Sequence, residues 1–136
     1  MSIILAIDFG EKRSGIAITD ESKIFAFGLK AIETKDLISF ITEYYKNHSV
    51  EKLVIGLPLD LKGNLNEIEG NIQNFISKLK NEIPKIIIER IDERFTSKMA
   101  EMSMIKSVNK KKDRQNKFLV DEISATLILQ TYLNKK

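Results

Sequence analysis

The sequence predicts an α/β protein in which three antiparallel strands and two parallel ones make a mixed five-stranded sheet covered by helices. Three observations carry this reading. Two apolar runs, Leu5–Phe9 and Ser14–Thr19, flank a short turn through Gly10 and Arg13, and a third run, Ile24–Leu29, follows closely enough to complete an antiparallel meander. Two later apolar runs alternate with amphipathic segments, and such crossover connections return strands parallel to one another. The chain has 136 residues, 43% hydrophobic and 30% charged, the balance of one soluble domain with a single core spanning residues 1–136.

The elements follow in order. The hairpin occupies Leu5–Asp20, and the turn Asp20-Glu21-Ser22-Lys23 leads into the strand Ile24–Leu29. Thr34 reads as a helix cap, because Leu37, Ile38, Ile41, Tyr44 and Tyr45 then share one face of a helix over Lys35–Lys46. Lys52–Leu57 is too short and too apolar for a surface helix and reads as a buried parallel strand, ended by Pro58. After the loop Leu59–Asn64, the residues Ile68, Ile72, Phe75, Ile76, Leu79 and Ile83 recur at helical spacing. Gly70 weakens this helix without breaking it, and Pro84 stops it. Lys85–Ile91 is the fifth strand, running into Asp92-Glu93-Arg94. Thr96 caps a short helix containing Met99, Ala100, Met102 and Ile105, where the methionines serve as core filler. A loop over Lys106–Lys117 precedes a final helix over Phe118–Leu133 and a frayed tail. The order β-β-β-α-β-α-β-α-α is that of the ribonuclease H-like fold.

Composition removes several chemistries. With no cysteine there is no disulfide framework, thiolate metal site or thiol nucleophile. The single His48 reads as a surface residue and leaves no histidine pair for zinc. The opening residues lack a basic leader and meet an acid at Asp8, unlike a signal peptide, and no apolar run reaches membrane-spanning length, so a cytoplasmic protein is expected. The net charge of +3 is unevenly spread. Lys106–Lys117 holds six basic residues and one acid, so the rest of the chain is net negative. Lys110, Lys111, Lys112, Arg114 and Lys117 in that stretch are candidates for gripping a polyanion backbone.

Three acids lie where this topology can gather them. Asp8 ends the first strand, Asp92-Glu93 follows the last, and Asp121 sits in the final helix. An ionised acid in an apolar strand is costly to bury unless it is paired or holds a cation, although an Asp that merely opens a turn is the plainer reading of Asp8. Asp121 is more informative. Phe118, Asp121, Ala125, Ile128 and Tyr132 are spaced three, four, three and four apart, which puts this acid in the apolar stripe of its helix, beside the small residues Ser124 and Ala125. The competing role is a salt bridge from Asp121 to Arg90, Arg94 or Lys117. Carboxylates without His or Cys suit Mg²⁺ or Mn²⁺, and two such ions can support phosphodiester hydrolysis. Strand parity sends only one of Asp92 and Glu93 toward the site, and the sequence does not fix which. Lys12 in the hairpin turn and Arg94 are candidates for contacts to phosphate.

With these residues in place, the chain resembles the YqgF family, also called RuvX, of the ribonuclease H-like superfamily. The markers are Ile7-Asp8-Phe9-Gly10-Glu11-Lys12-Arg13-Ser14-Gly15-Ile16-Ala17, Val54-Ile55-Gly56-Leu57-Pro58-Leu59 with Gly63, Asp92-Glu93-Arg94-Phe95-Thr96-Ser97, and Asp121-Glu122-Ile123-Ser124-Ala125-Thr126-Leu127-Ile128-Leu129-Gln130. Four such segments in order are far more specific than any one. The resemblance carries the family's acid triad over to Asp8, Glu93 and Asp121, favouring Glu93 over Asp92. It implies a bacterial cytoplasmic nuclease that acts on the 5′ end of pre-16S ribosomal RNA, with Holliday junction resolution as the alternative. Paired cuts in a symmetric junction require a two-fold dimer, whereas the RNA reading accommodates a monomer or weak homodimer, in contact with ribosomal precursor particles. A non-catalytic RNA-binding module with structural acids is the reading from another class. The Asp8-Phe9-Gly10 hairpin also resembles the phosphate-binding hairpin of actin-like ATPases, but those enclose a nucleotide between two such domains and this chain has room for one.

Overall fold

The computed structural model describes residues 2–58, 67–92 and 113–135, with side chains from residue 118 onward in the last segment. Its strands are β1 (Ile3–Asp8), β2 (Arg13–Thr19), β3 (Ala26–Glu33), β4 (Val50–Leu57) and β5 (Ile88–Asp92). The helices among the described residues are α1 (Leu37–Asn47), α2 (Ile68–Glu82) and α3 (Asp113–Asn134). The strands form one sheet in the order β3-β2-β1-β4-β5. The meander is antiparallel, and β4 and β5 join it in parallel, as the connection lengths predict.

Strand alternation divides the core in two. Leu5, Ile7, Ile16, Leu53 and Ile55 face one way and pack under Leu37 and Ile41 of α1 and Ile72, Phe75 and Leu79 of α2. Ile4, Ala6, Ala17, Val54 and Ile91 face the other way and pack under Ala125, Ile128, Leu129 and Tyr132 of α3. Burying each large aliphatic side chain contributes about 1.5–3 kcal/mol, which orients both faces strongly.

Several boundaries differ from the sequence reading. Ile24 and Phe25 belong to the turn rather than to β3, because the Asp20 carboxylate accepts hydrogen bonds from both of their backbone N–H groups. Thr34 opens a 3-10 turn, Thr34–Asp36, rather than capping α1, and its hydroxyl is spent on the β1–β2 turn. Strand β5 starts at Ile88, since Ile86 N–H turns back to the carbonyl of Ile83. Helix α3 begins at Asp113, so Arg114 and Lys117 lie on its first turns and not in a loop. The short helix expected after Thr96 lies outside the described residues. His48 is exposed, as expected, and stacks on Tyr44 at 3.9 Å between ring centroids.

Candidate acid site

Asp8 is the last residue of β1. Ile4 and Ala6 of the same strand face α3, so alternation places Asp8 on that face too. Its partner across the antiparallel ladder is Gly15 of β2. At Gly15 the helix α3 comes close to the sheet: a Cβ built there would lie 1.8 Å from the backbone oxygen of Asp121 and 2.3 Å from its carbonyl carbon. The absence of a side chain on β2 thus lets the backbone of Asp121 rest one strand away from Asp8, at the same level. Gly28 leaves room for a side chain rather than for the helix backbone, since a Cβ there would meet the Glu122 carboxylate at 2.5 Å. Ser124 and Ala125, both buried, complete this close seat.

The turn that follows Asp8 is held by a closed ring of hydrogen bonds. The N–H of Gly10 donates to Ser14 Oγ at 3.3 Å, and Thr34 Oγ1 donates to the Gly10 carbonyl at 2.6 Å. With the Thr34 proton so used, Ser14 Oγ donates to Thr34 Oγ1, at 2.8 Å. Thr34 N–H adds a bond to the Lys12 carbonyl at 2.8 Å. Ser14 is fully buried. The ring locks the β1–β2 turn to the end of β3 and leaves Lys12 exposed at its tip.

Asp121 pairs with Arg13 of β2: Arg13 Nε donates to Asp121 Oδ2 at 3.0 Å. Arg13 shares the α3 face with Gly15 and Ala17, and its guanidinium carbon lies 5.9 Å from the centre of the Phe118 ring. The sequence reading missed Arg13 as a partner for Asp121. Its signal was its parity with Gly15 along β2. Arg90, one of the partners the sequence offered, is on the opposite face. There it makes a bidentate pair with Glu69 of α2, 2.8 Å on each arm, and donates to the carbonyls of Ile55 and Gly56. These bonds hold the Glu69 carboxyl below its ordinary pKa range, chiefly through Arg90 and against an opposing contribution from burial.

On β5 the same alternation separates the two neighbouring acids. Ile91 packs under α3, and Glu89 bonds Tyr132 of that helix and Lys52 of β4. Arg90 and Asp92 therefore belong to the α2 face, which removes Asp92 from the face of Asp8. Glu93, Arg94, Lys110, Lys111 and Lys112 lie outside the described residues, as do the side chains of Arg114 and Lys117. Among the described residues no group of three acid or histidine side chains gathers to hold a metal. Asp8 and Asp121 are two of the three carboxylates proposed from the sequence, and a set of oxygen donors without nitrogen or sulfur fits a hard divalent cation.

A family model described as RuvX, Holliday junction resolvase, matches residues 2–135. A protein of Flavobacterium psychrophilum named "Putative pre-16S rRNA nuclease" is 53% identical over 136 residues, covering 100% of this chain and 99% of that protein. The chain belongs to the RuvX family. Other RuvX relatives bearing that same name include one from Bacteroides fragilis, 51% identical with the same coverage, and one from Karelsulcia muelleri, 43% identical over 98% of this chain and 99% of its own length. Among solved structures, the fowlpox virus resolvase in complex with Holliday junction DNA matches with a TM-score of 0.54 at 16% identity, over 98% of this chain and 97% of that one. A second structure of the fowlpox virus Holliday junction resolvase gives 0.51. These likenesses place the RuvX chain in the ribonuclease H-like fold expected from its element order. Among the described residues, no helix is long and apolar enough to cross a membrane.

Proposed function

We propose that this chain is a metal-dependent endonuclease hydrolysing phosphodiester bonds, with the 5′ end of pre-16S ribosomal RNA as its substrate in the bacterial cytoplasm. The observation that carries the reading is the seating of Asp121 against Gly15, the ladder partner of Asp8, which joins two acids more than a hundred residues apart on one face. Glu93 is the third acid of the set. Asp8, Glu93 and Asp121 would hold Mg²⁺ or Mn²⁺. Bound there, such ions would supply Lewis-acid activation of water and stabilisation of the charge on the reacting phosphate.

The chain's own residues supply placement. The Gly10–Ser14–Thr34 ring fixes the turn after Asp8, and the Gly15 seat fixes the approach of α3. Lys12, Arg94, Lys110, Lys111, Lys112, Arg114 and Lys117 are the cations proposed to track the nucleic-acid backbone, which makes binding steeply dependent on salt. The names of the full-length relatives favour RNA over junction DNA. The description of the family model favours a second reading, resolution of four-way junctions by the same acids, which needs a two-fold dimer.

The deciding assay offers wild type and Asp8→Asn a pre-16S 5′ leader fragment and a four-way DNA junction side by side in Mn²⁺. Cleavage of the RNA by wild type alone is the expected result. Equal cleavage by both proteins would discard the acid site, and cleavage of the junction alone would move the substrate to DNA. Mn²⁺-independent RNA binding with no cleavage would leave the non-catalytic module.

A further inference from the structure

The two described arginines of the sheet are used in different ways. All three guanidinium nitrogens of Arg90 are engaged, two by Glu69 and the Ile55 and Gly56 carbonyls besides, as expected of an arginine whose work is structural. Among the described residues Arg13 commits only Nε, to Asp121. Its two terminal nitrogens have no acceptor among the described residues. The side chain is 32% exposed.

Its surroundings restrict where that open end can go. Asp121 tethers the guanidinium from one side, and the Phe118 ring lies beside it. Phe118 occupies the apolar stripe of α3 yet is 39% exposed, so part of an aromatic surface stays uncovered beside Arg13. A partly exposed ion pair contributes little to stability, so the Arg13–Asp121 pair has little value as a staple. A guanidinium oriented at one nitrogen and, among the described residues, uncommitted at the other two is, by contrast, a fork suited to phosphate oxygens.

We propose that Arg13 binds a phosphate of the polynucleotide beside Asp8 and Asp121, with Asp121 orienting the guanidinium and Phe118 offering a face for the adjoining base. This rests on the nuclease reading and deepens it. The phosphate oxygens accept from the terminal N–H groups of Arg13, and the Nε bond to Asp121 is kept. A base stacked on Phe118 adds affinity without reading sequence, because every base has a π face.

The test measures binding rather than turnover. Fluorescently labelled 5′ leader RNA and four-way DNA junction are titrated, in Ca²⁺ at several salt concentrations, with wild type, Arg13→Gln, Arg13→Lys and Phe118→Leu, and Mn²⁺ binding is followed by calorimetry. Arg13→Gln should weaken binding of the preferred probe about tenfold and lower the salt slope by close to one phosphate, with no loss of Mn²⁺ affinity. Arg13→Lys should keep the slope and lose part of the affinity, and it provides the readout if the Gln variant does not fold. Phe118→Leu should weaken binding with the slope unchanged. Unaltered affinity and slope in Arg13→Gln, with weakened Mn²⁺ binding, would overturn the proposal and make Arg13 a partner of Asp121 alone. A wild type that binds neither probe would instead overturn the nuclease reading, and the phosphate contact with it.

Discussion

Gly15 and Asp121 touch backbone to backbone: the space in which a β-carbon of residue 15 would sit is taken by the carbonyl of Asp121. A rotamer change cannot relieve such an overlap, so α3 must move if residue 15 gains a side chain. Gly15→Ala should destabilise the protein by about 1–3 kcal/mol or more, the range of overpacked cores. It should also weaken Mn²⁺ binding, because the displaced helix takes Asp121 with it. Urea unfolding and calorimetry read the two effects. Unchanged stability would show that α3 is not held by this contact.

The acids themselves are expected to matter for chemistry and little for folding. Asp8→Asn and Asp121→Asn should each lower Mn²⁺-dependent cleavage by at least about 100-fold, the scale of losing one charge-stabilising group in a transition state. Far-UV circular dichroism should be unchanged. Each substitution keeps the size of the side chain, so lost activity in a folded variant reports on the carboxylate.

The hydrogen-bonded ring behind Asp8 gives a prediction of the opposite kind. Ser14→Ala leaves the Gly10 N–H without its acceptor and Thr34 without its donor in a partly buried place. A cost of about 1 kcal/mol is expected, the low end of the penalty for stranding a buried polar group, because water reaches part of this turn. Thr34→Val should cost a similar amount, and the double variant less than their sum, since both remove the same ring. Additive losses would show that the two hydroxyls act independently.

Stability against acid should depend on Glu69. Its pKa is depressed in the folded state by Arg90, so this contribution is complete above the unfolded value of about 4.3 and disappears as the pH falls through the lower folded value. Glu69→Gln should cost about 1.5–3 kcal/mol at pH 7, as expected for hydrogen bonds to a charged group. The gap to wild type should narrow toward pH 3. Thermal unfolding across that range tests this, and a gap that stays constant would assign the loss to packing instead.

Much of this was legible in the chain. Alternation in Ile4–Asp8 and Ser14–Thr19 specifies which residues of β1 and β2 share a face, and the spacing of Leu37, Ile41, Ile72, Phe75 and Leu79 specifies the covering helices. The stripe that includes Asp121 marked it as an acid turned toward the sheet. Boundaries were harder to read where a side chain diverts the backbone. Asp20 captures the N–H groups of residues 24 and 25, and Thr34 gives its hydroxyl to a turn twenty-four residues earlier. Phe118 shares the stripe of Asp121 yet is 39% exposed, a difference in burial that spacing alone does not report.

The sequence by itself determined the order of strands and helices, the inward periodicity of each, and the carboxylates available for chemistry, because these depend on local spacing and residue type. Tertiary structure decided that Asp92 lies on the α2 face, that Asp121 meets Arg13 and not Arg90, and that Gly15 admits the backbone of the helix. Those outcomes depend on register and on which backbone surfaces come within contact, quantities that exist only once distant segments are packed together.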